Sequence, residues 1–155
     1  MKHYYKPFDS VGGTSDTIEV FSPVDGLITM IWDEGQRSNQ VRIVSSSYPY
    51  ITFVIFDVAA SVSLGETVTA GQSIGFADVT SDNPDSPTSD FDIAVWTADG
   101  HAISYISLLA DGVFDTYVAR GATSRSDFVL SEEFRDSNPI TVWNQDFEYD
   151  WYAFP

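Results

Sequence analysis

The stretch that decides the fold begins with FSPVDG at residues 21–26 and ends with SLGETVTAGQSIG at residues 63–75. Asp25-Gly26 predicts a turn, because both residues tolerate the left-handed backbone that a tight hairpin needs. The segments between the two motifs are apolar and rich in β-branched residues, which favours strands. Two short strands around a tight turn, twice over, predict a small β-barrel or sandwich that is folded over on itself.

Alternating or continuously apolar segments predict further strands on both sides of this stretch. They are residues 17–21, 27–32, 40–44, 50–58, 72–77, 90–97 and 101–104. The segment at 50–58 is too apolar for a strand with one wet face, so we predict that it is central. Residues 1–16 are polar and rich in turn formers, which predicts an extended lead-in or a loop.

The C-terminal third has a different pattern. Apolar residues keep a rough helical spacing from Ile106 to Val118, and Gly121 is a candidate helix stop. Ser124 and Asp127 have the spacing of a helix start.

The last residues are dense in aromatic side chains, including Trp143 and Trp151. Such a segment is predicted to pack on the domain or on a neighbouring molecule. We therefore predict a mainly β domain at 1–109 and a short α or mixed C-terminal extension at 110–155.

The composition excludes several classes of function. The 155 residues hold 23 acids and 7 bases, a net charge of −16, which repels nucleic-acid phosphates and anionic lipids. The absence of cysteine excludes disulfides, thiolate metal sites and thiol nucleophiles. No apolar run is long enough to span a bilayer, and the first residues contain no apolar segment of a signal peptide.

From about Tyr5 to Leu109 the order and spacing of these motifs resemble the lysostaphin-type (LytM-like) zinc endopeptidases, which have a duplicated hybrid motif fold. The resemblance rests on Ser22-Pro23-x-Asp25-Gly26, on the pattern V-x-x-G-(D/E)-x-V-x-x-G-Q-x-I-G at 62–75, and on a later turn. Lipoyl and biotinyl carrier domains share the second pattern but need a lysine at a hairpin tip. This chain has no lysine after Lys6, which excludes a carrier.

In that family, zinc is bound by the His and Asp of an H-x-x-x-D motif and by the second His of a later H-x-H. Two further histidines assist the attacking water, and one ligand position of the zinc stays open. In this chain the resemblance places these five groups at Tyr5, Asp9, Phe56, Asp90 and Asp92. Only Asp9 keeps the family's residue, so the resemblance implies a degenerate, non-catalytic relative, a pseudoenzyme.

The two histidines of the chain, His3 and His101, lie outside those positions. His3 is six residues before Asp9, too far for H-x-x-x-D, and His101 follows a turn and is predicted to be a surface residue.

A different metal is the alternative at the acidic positions. Asp90 and Asp92 are spaced to share one face of a strand, and carboxylates suit Ca²⁺ or Mg²⁺ better than Zn²⁺. More carboxylates lie nearby, at Asp78, Asp82 and Asp85. No calcium-loop pattern is present, so we favour a solvated acidic rim with neither metal nor cofactor.

The sequence supports three functions. The first is a structural or protein-interaction module, able to self-associate through barrel edge strands or the aromatic tail. The second is a module that binds peptidoglycan, or another cell-wall glycan or peptide, through stacking aromatics. The third is an active metallopeptidase with an Asp-rich metal site.

The candidate binding aromatics are Trp32, Tyr50, Trp96, Trp143 and Trp151, although we expect the first three to pack in the core. Because relatives act on cell walls, the resemblance implies a location outside the cytoplasm, at a cell envelope, in the medium or on a virus particle.

Overall fold

The computed structural model describes residues 2–8, 10–33, 38–81 and 89–129, together with residues 131, 133 and 137. The chain divides into two compact units, Met1–Tyr105 and Ile106–Pro155. Within the described residues, no helix is long and apolar enough to cross a membrane. Asp9, Asp82, Asp85, Trp143 and Trp151 lie outside the described residues.

The first unit is mainly β, as predicted, and all its strand pairs are antiparallel. The strands are β1 Lys2–Tyr5, β2 Glu19–Phe21, β3 Gly26–Asp33, β4 Asn39–Ser45, β5 Ile51–Ala60, β6 Thr67–Val68, β7 Ser73–Ala77, β8 Phe91–Thr97 and β9 Ala102–Ile103. Their main path is β1-β8-β5-β4-β3-β6, with β9 beside β8 and with β7 between β2 and β5. The two ends of this path do not pair in the described part, so the sheet folds over without closing into a barrel.

The long apolar strand is central, as predicted. β5 pairs with β4 and β8, and its last residues, 58–60, pair with β7. Asp57 has a left-handed backbone with φ 55°, and its carboxylate accepts a hydrogen bond of 3.1 Å from Ser38 Oγ. This residue interrupts the alternation of the strand, so that Ile55 and Val58 both face the core although they are three positions apart.

The two turn motifs contact each other rather than closing separate hairpins. We expected the Asp25 turn to pair its flanking strands, but β2 pairs with β7 and β3 pairs with β4 and β6. Asp25 Oδ1 accepts a 2.8 Å hydrogen bond from the backbone N–H of Ala70. Ser22 exchanges backbone hydrogen bonds of 2.8 Å with Gly71 and Gln72. Each motif therefore supplies hydrogen-bond partners to the other, so this part of the fold depends on both motifs.

The core lies inside this fold and is almost entirely aliphatic. Its buried members are Val20, Ile28, Val41, Ile43, Phe53, Ile55, Val58, Val62, Val68, Ile74, Ala77, Val79, Ile93 and Val95. Most come from alternate positions of β3, β4, β5 and β8, which leaves the other face of those strands for a surface.

The prediction of an extended lead-in or a loop at residues 1–16 missed a strand of the sheet in its first part. Lys2–Tyr5 forms β1, which pairs with β8 in the register Lys2 to Ala94 and Tyr4 to Asp92. The strand has four residues and few apolar positions, so its order comes from backbone pairing with β8 and not from burial. Its position matters because it brings the N-terminal lysine onto the open face of the sheet.

The segment with helical spacing, residues 106–118, contains two helices, α1 Tyr105–Leu108 and α2 Asp111–Val118. Gly121, with φ +103°, follows the end of α2 in the role predicted for it. Ser124 and Asp127 form the predicted capping box, at a 3₁₀ helix of residues Arg125–Phe128. The backbone N–H of Ser124 donates to Asp127 Oδ2 at 2.8 Å, and such bonds lower the pKa of Asp127 to about 2.

Candidate functional site

The candidate site lies on the face of the sheet that turns away from the core. Ile55 pairs with Ile93, and both side chains are in the core. The next residues along these antiparallel strands, Phe56 and Asp92, therefore face each other on the opposite surface. Because Tyr4 pairs with Asp92, β1 adds its own side chains to the same place.

A lysine, a carboxylate and an aromatic ring meet there. The Lys2 Nζ atom is 3.1 Å from Asp92 Oδ1 and 3.3 Å from Asp92 Oδ2. The same ammonium lies 3.5 Å from the centroid of the Phe56 ring and 5.7 Å from that of Tyr4. The side chain of Asp92 is only 9% exposed, whereas that of Lys2 is 36% exposed. We call Lys2, Phe56 and Asp92 the ammonium cluster.

The other predicted positions separate from this cluster. Tyr5 packs against the core, with its ring centroid 6.2 Å from that of Phe91, on the opposite face from Asp92. Asp90 precedes β8 and is half-buried. Burial raises the pKa of the Asp90 carboxyl above its ordinary value, and the positive charge of Lys6 opposes that shift. Lys2 thus contacts Asp92, and the charge of Lys6 acts on Asp90.

The described residues do not fit the family's zinc. Phe56 offers no donor atom, Tyr5 faces the core, and both oxygens of Asp92 lie within contact of an ammonium. Across the described ranges, no group of three or more His, Cys, Asp or Glu side chains could hold a metal ion. The Asp90–Asp92 alternative for Ca²⁺ or Mg²⁺ stays a prediction, because Asp9 and two of the neighbouring acids lie outside those ranges.

Neither histidine lies in the cluster. The side chain of His101 is 77% exposed, as predicted, with Nδ1 3.1 Å from Asp99 Oδ2. A hydrogen bond from Thr97, followed by one from His101, lowers the pKa of Asp99 to about 2. His3 pairs with Ile93 across β1 and β8, and its Nε2 is 3.0 Å from Ser104 Oγ.

The protonation of His3 is linked to folding. Burial, followed by the charge of the N-terminus, lowers the pKa of His3 below its ordinary value of 6.5. Its contribution to stability is fully present above the unfolded-state pKa and is lost as pH falls from there toward the lower folded-state pKa. Urea titration at about pH 7.5 and about pH 5.5 measures the free energy of unfolding. We expect its decrease between these two pH values to be larger in wild type than in His3→Gln. An imidazole NMR titration that puts the His3 pKa above 6.5 would contradict this.

A groove lies next to the ammonium cluster, on the same face of the sheet. It has a volume of about 420 Å³ and is lined by Arg42, Thr52, Val54, Phe56, Trp96 and Thr97. The apolar residue Val54 is buried beneath it, and Arg42 Nε donates a 2.7 Å hydrogen bond to Gln40 Oε1. Its walls combine apolar surface with the polar side chains of Arg42, Thr52 and Thr97.

The expectation that three aromatics pack in the core is wrong. Trp32 is 59% exposed, Tyr50 is 55% exposed and Trp96 is 41% exposed. Trp32 lies near the end of β3 and Trp96 near the end of β8, on the face away from the core, and Trp96 is a wall of the groove. Tyr50 contacts Tyr48 edge-on, with ring centroids 6.1 Å apart, and both remain exposed.

Two residues of the site were missed by the sequence reasoning. Lys2 was overlooked because residues 1–16 were predicted to be an extended lead-in or a loop, not a strand of the sheet, although the confinement of lysine to positions 2 and 6 is a visible signal. Arg42 was overlooked because it alternates with apolar residues in β4 and resembles an ordinary solvent-facing position. Strand register is what places each of them on the open face.

Comparison with known proteins bears on the fold. No protein-family model and no curated protein sequence matches the chain. Among solved structures, the catalytic domain of the antimicrobial peptidase lysostaphin from Staphylococcus simulans is similar, with a TM-score of 0.50 and 17% identity over 69% of this chain and 90% of that chain. A structure of the antimicrobial peptidase lysostaphin from the same organism has a TM-score of 0.54 and 17% identity over 93% of this chain and 57% of that chain. At such identities the likeness concerns the architecture, and it confirms the predicted fold: the chain has a lysostaphin-like β fold.

Proposed function

We propose that this chain is a non-catalytic, peptidase-like module that serves as a structural or protein-interaction component of an extracellular or cell-surface structure. The observation that carries the proposal is the ammonium cluster. In the resemblance drawn from the sequence, Asp92 takes the position of a zinc-binding histidine and Phe56 that of a catalytic one. The cation beside Asp92 here is the chain's own Lys2.

An ammonium cannot replace a zinc ion chemically. It has no open coordination position, cannot polarise a bound carbonyl as a Lewis acid and does not lower the pKa of a bound water. It does neutralise a nearly buried carboxylate, which is a structural task. Phe56 covers the ammonium on one side and supplies no group that could take a proton. These features favour a site that stabilises the sheet and leaves the groove for binding.

A cell-wall glycan or peptide is the second candidate ligand. The exposed Trp96 at the groove favours it, because an exposed indole face can stack on a sugar ring. Under this alternative the module still lacks catalysis but acts as an adhesion domain at the cell envelope.

The proposal is tested by metal analysis and by a hydrolysis assay on the same protein, purified without chelators. We expect much less than one transition metal per chain and no release of fragments from cell-wall peptidoglycan. A stoichiometric metal together with hydrolysis, both lost in Asp92→Ala, would overturn the proposal. Titration with soluble cell-wall fragments distinguishes a protein-interaction module from a cell-wall-binding module. Only a cell-wall-binding module should bind the fragments saturably, and Trp96→Ala should abolish that binding.

A further inference from the structure

Arg42 is unusual in a chain so rich in acids. The chain has 23 acids against 7 bases, yet none of the ion pairs among the described residues involves Arg42. Its partner is instead the neutral amide of Gln40, at 2.7 Å from Nε, and Gln40 is only 8% exposed. A buried amide thus orients the guanidinium and leaves its two terminal nitrogens to recognise a carboxylate.

The groove surrounds this guanidinium with apolar surface. Phe56 and Trp96 line it together with Val54 and two threonines, within about 420 Å³. An arginine fork beside aromatic walls suits a ligand that carries a carboxylate next to an aromatic or apolar group. This combination disfavours both a basic ligand and a purely apolar one.

The chain itself contains a segment of this chemistry. Residues 146–151 read DFEYDW, so each carboxylate neighbours an aromatic side chain in the sequence. The negative charge of this segment is complementary to Arg42, which supports it as the partner. We propose that the groove of one copy binds the 146–151 segment of a second copy, with a carboxylate on Arg42 and an adjacent aromatic ring between Phe56 and Trp96. This rests on the proposed interaction function and names its partner.

Such a contact joins two different surfaces, a groove and a segment. A contact of that type can propagate from copy to copy into rings or filaments. Two chains of net charge −16 also repel each other over long range. We therefore expect self-association to be stronger at about 0.3 M NaCl than at low salt. At that concentration the Debye length falls below about 6 Å, so salt screens the repulsion between distant charges more than the contact of Arg42 with a carboxylate in the groove.

Sedimentation of the full chain over a range of concentrations, in about 0.3 M NaCl, tests the proposal. We expect concentration-dependent oligomers in wild type and association weakened about tenfold or more in Arg42→Gln, since hydrogen bonds to charged groups contribute strongly. Arg120→Gln, which removes the same charge from an exposed position of the second unit, is the matched control and should associate like wild type.

A charge exchange makes the test specific. The Arg42→Glu variant should associate weakly with itself. The triple variant Asp146→Lys, Glu148→Lys and Asp150→Lys should also associate weakly with itself. A mixture of these two proteins should recover association between them. A monomeric wild type, or an Arg42→Gln variant that associates as wild type does, would overturn this inference but leave the proposed non-catalytic function standing. Arg42-dependent binding of cell-wall fragments without self-association would overturn it in favour of a glycan ligand. Metal-dependent hydrolysis would instead overturn the proposed non-catalytic function.

Discussion

Gly75→Ala is expected to destabilise the β unit severely. Gly75 lies in β7 with φ +144°, a backbone conformation that residues with a side chain rarely adopt. A Cβ there would be 2.2 Å from the backbone oxygen of Ala59 and 3.0 Å from the Cα of Ala60, both in the central strand. Backbone strain of about 1–3 kcal/mol is thus added to a clash that only a shift of β5 can relieve. We expect a total loss of at least about 4 kcal/mol, a large part of the stability of a domain.

Urea unfolding followed by circular dichroism measures this loss, and two other glycines separate its causes. Gly65 has φ +82° with nothing within 4 Å of a Cβ, so Gly65→Ala should cost only strain, about 1 kcal/mol. Gly112, in α2, has neither a positive φ nor a neighbour within 4 Å, so Gly112→Ala should be neutral or stabilising by up to about 1 kcal/mol. A Gly75→Ala protein as stable as Gly65→Ala would show that β5 does not approach β7 as closely as the structure places it.

The fold was predictable where local pattern and tertiary context agree. The apolar, β-branched run of β5 favours a central strand, and the turn motifs at 21–26 and 63–75 have the spacing of the lysostaphin-type fold. What local pattern could not supply is pairing. Asp25 hydrogen bonds to Ala70, 45 residues away, and no neighbouring residue of either signals that contact.

The residues of the site could be predicted only in part, because local pattern does not show how the strands pair. Phe56 and Asp92 were identified by their positions relative to a family motif, and the register of β5 and β8 brings them together. The cation between them was not identified, since β1 is short and polar and pairs with a strand about 90 residues later. Trp96 was assigned to the core because periodicity alone does not say which face of a strand is buried; only its pairing with Thr52, on the open face, does.

Removal of the Lys2 ammonium is expected to destabilise the β unit because it leaves the Asp92 carboxylate in a nearly dry position. The Asp92 side chain is 9% exposed, and its oxygens lie 3.1 and 3.3 Å from Lys2 Nζ. Breaking a buried ion pair from one side typically costs about 3–5 kcal/mol, and the partial exposure of Lys2 reduces our expectation for Lys2→Met to about 2 kcal/mol. Methionine keeps most of the apolar stem over Phe56, so the loss reports on the charge rather than on packing.

The double-mutant cycle with Asp92→Asn decides whether the charges interact. Asp92→Asn removes the buried charge and leaves a lysine that can turn to solvent, so it should cost less, about 1 kcal/mol. Lys2→Met combined with Asp92→Asn should be about as stable as Asp92→Asn alone, which corresponds to a coupling of about 2 kcal/mol. Lys6→Met, at the only other lysine, is the matched control: its side chain is exposed, so water screens its interaction with the half-buried Asp90 and its loss should change stability by no more than about 0.5 kcal/mol. Additive losses in the cycle would mean that Lys2 does not neutralise Asp92, and the site would then lack the internal cation on which the non-catalytic proposal depends.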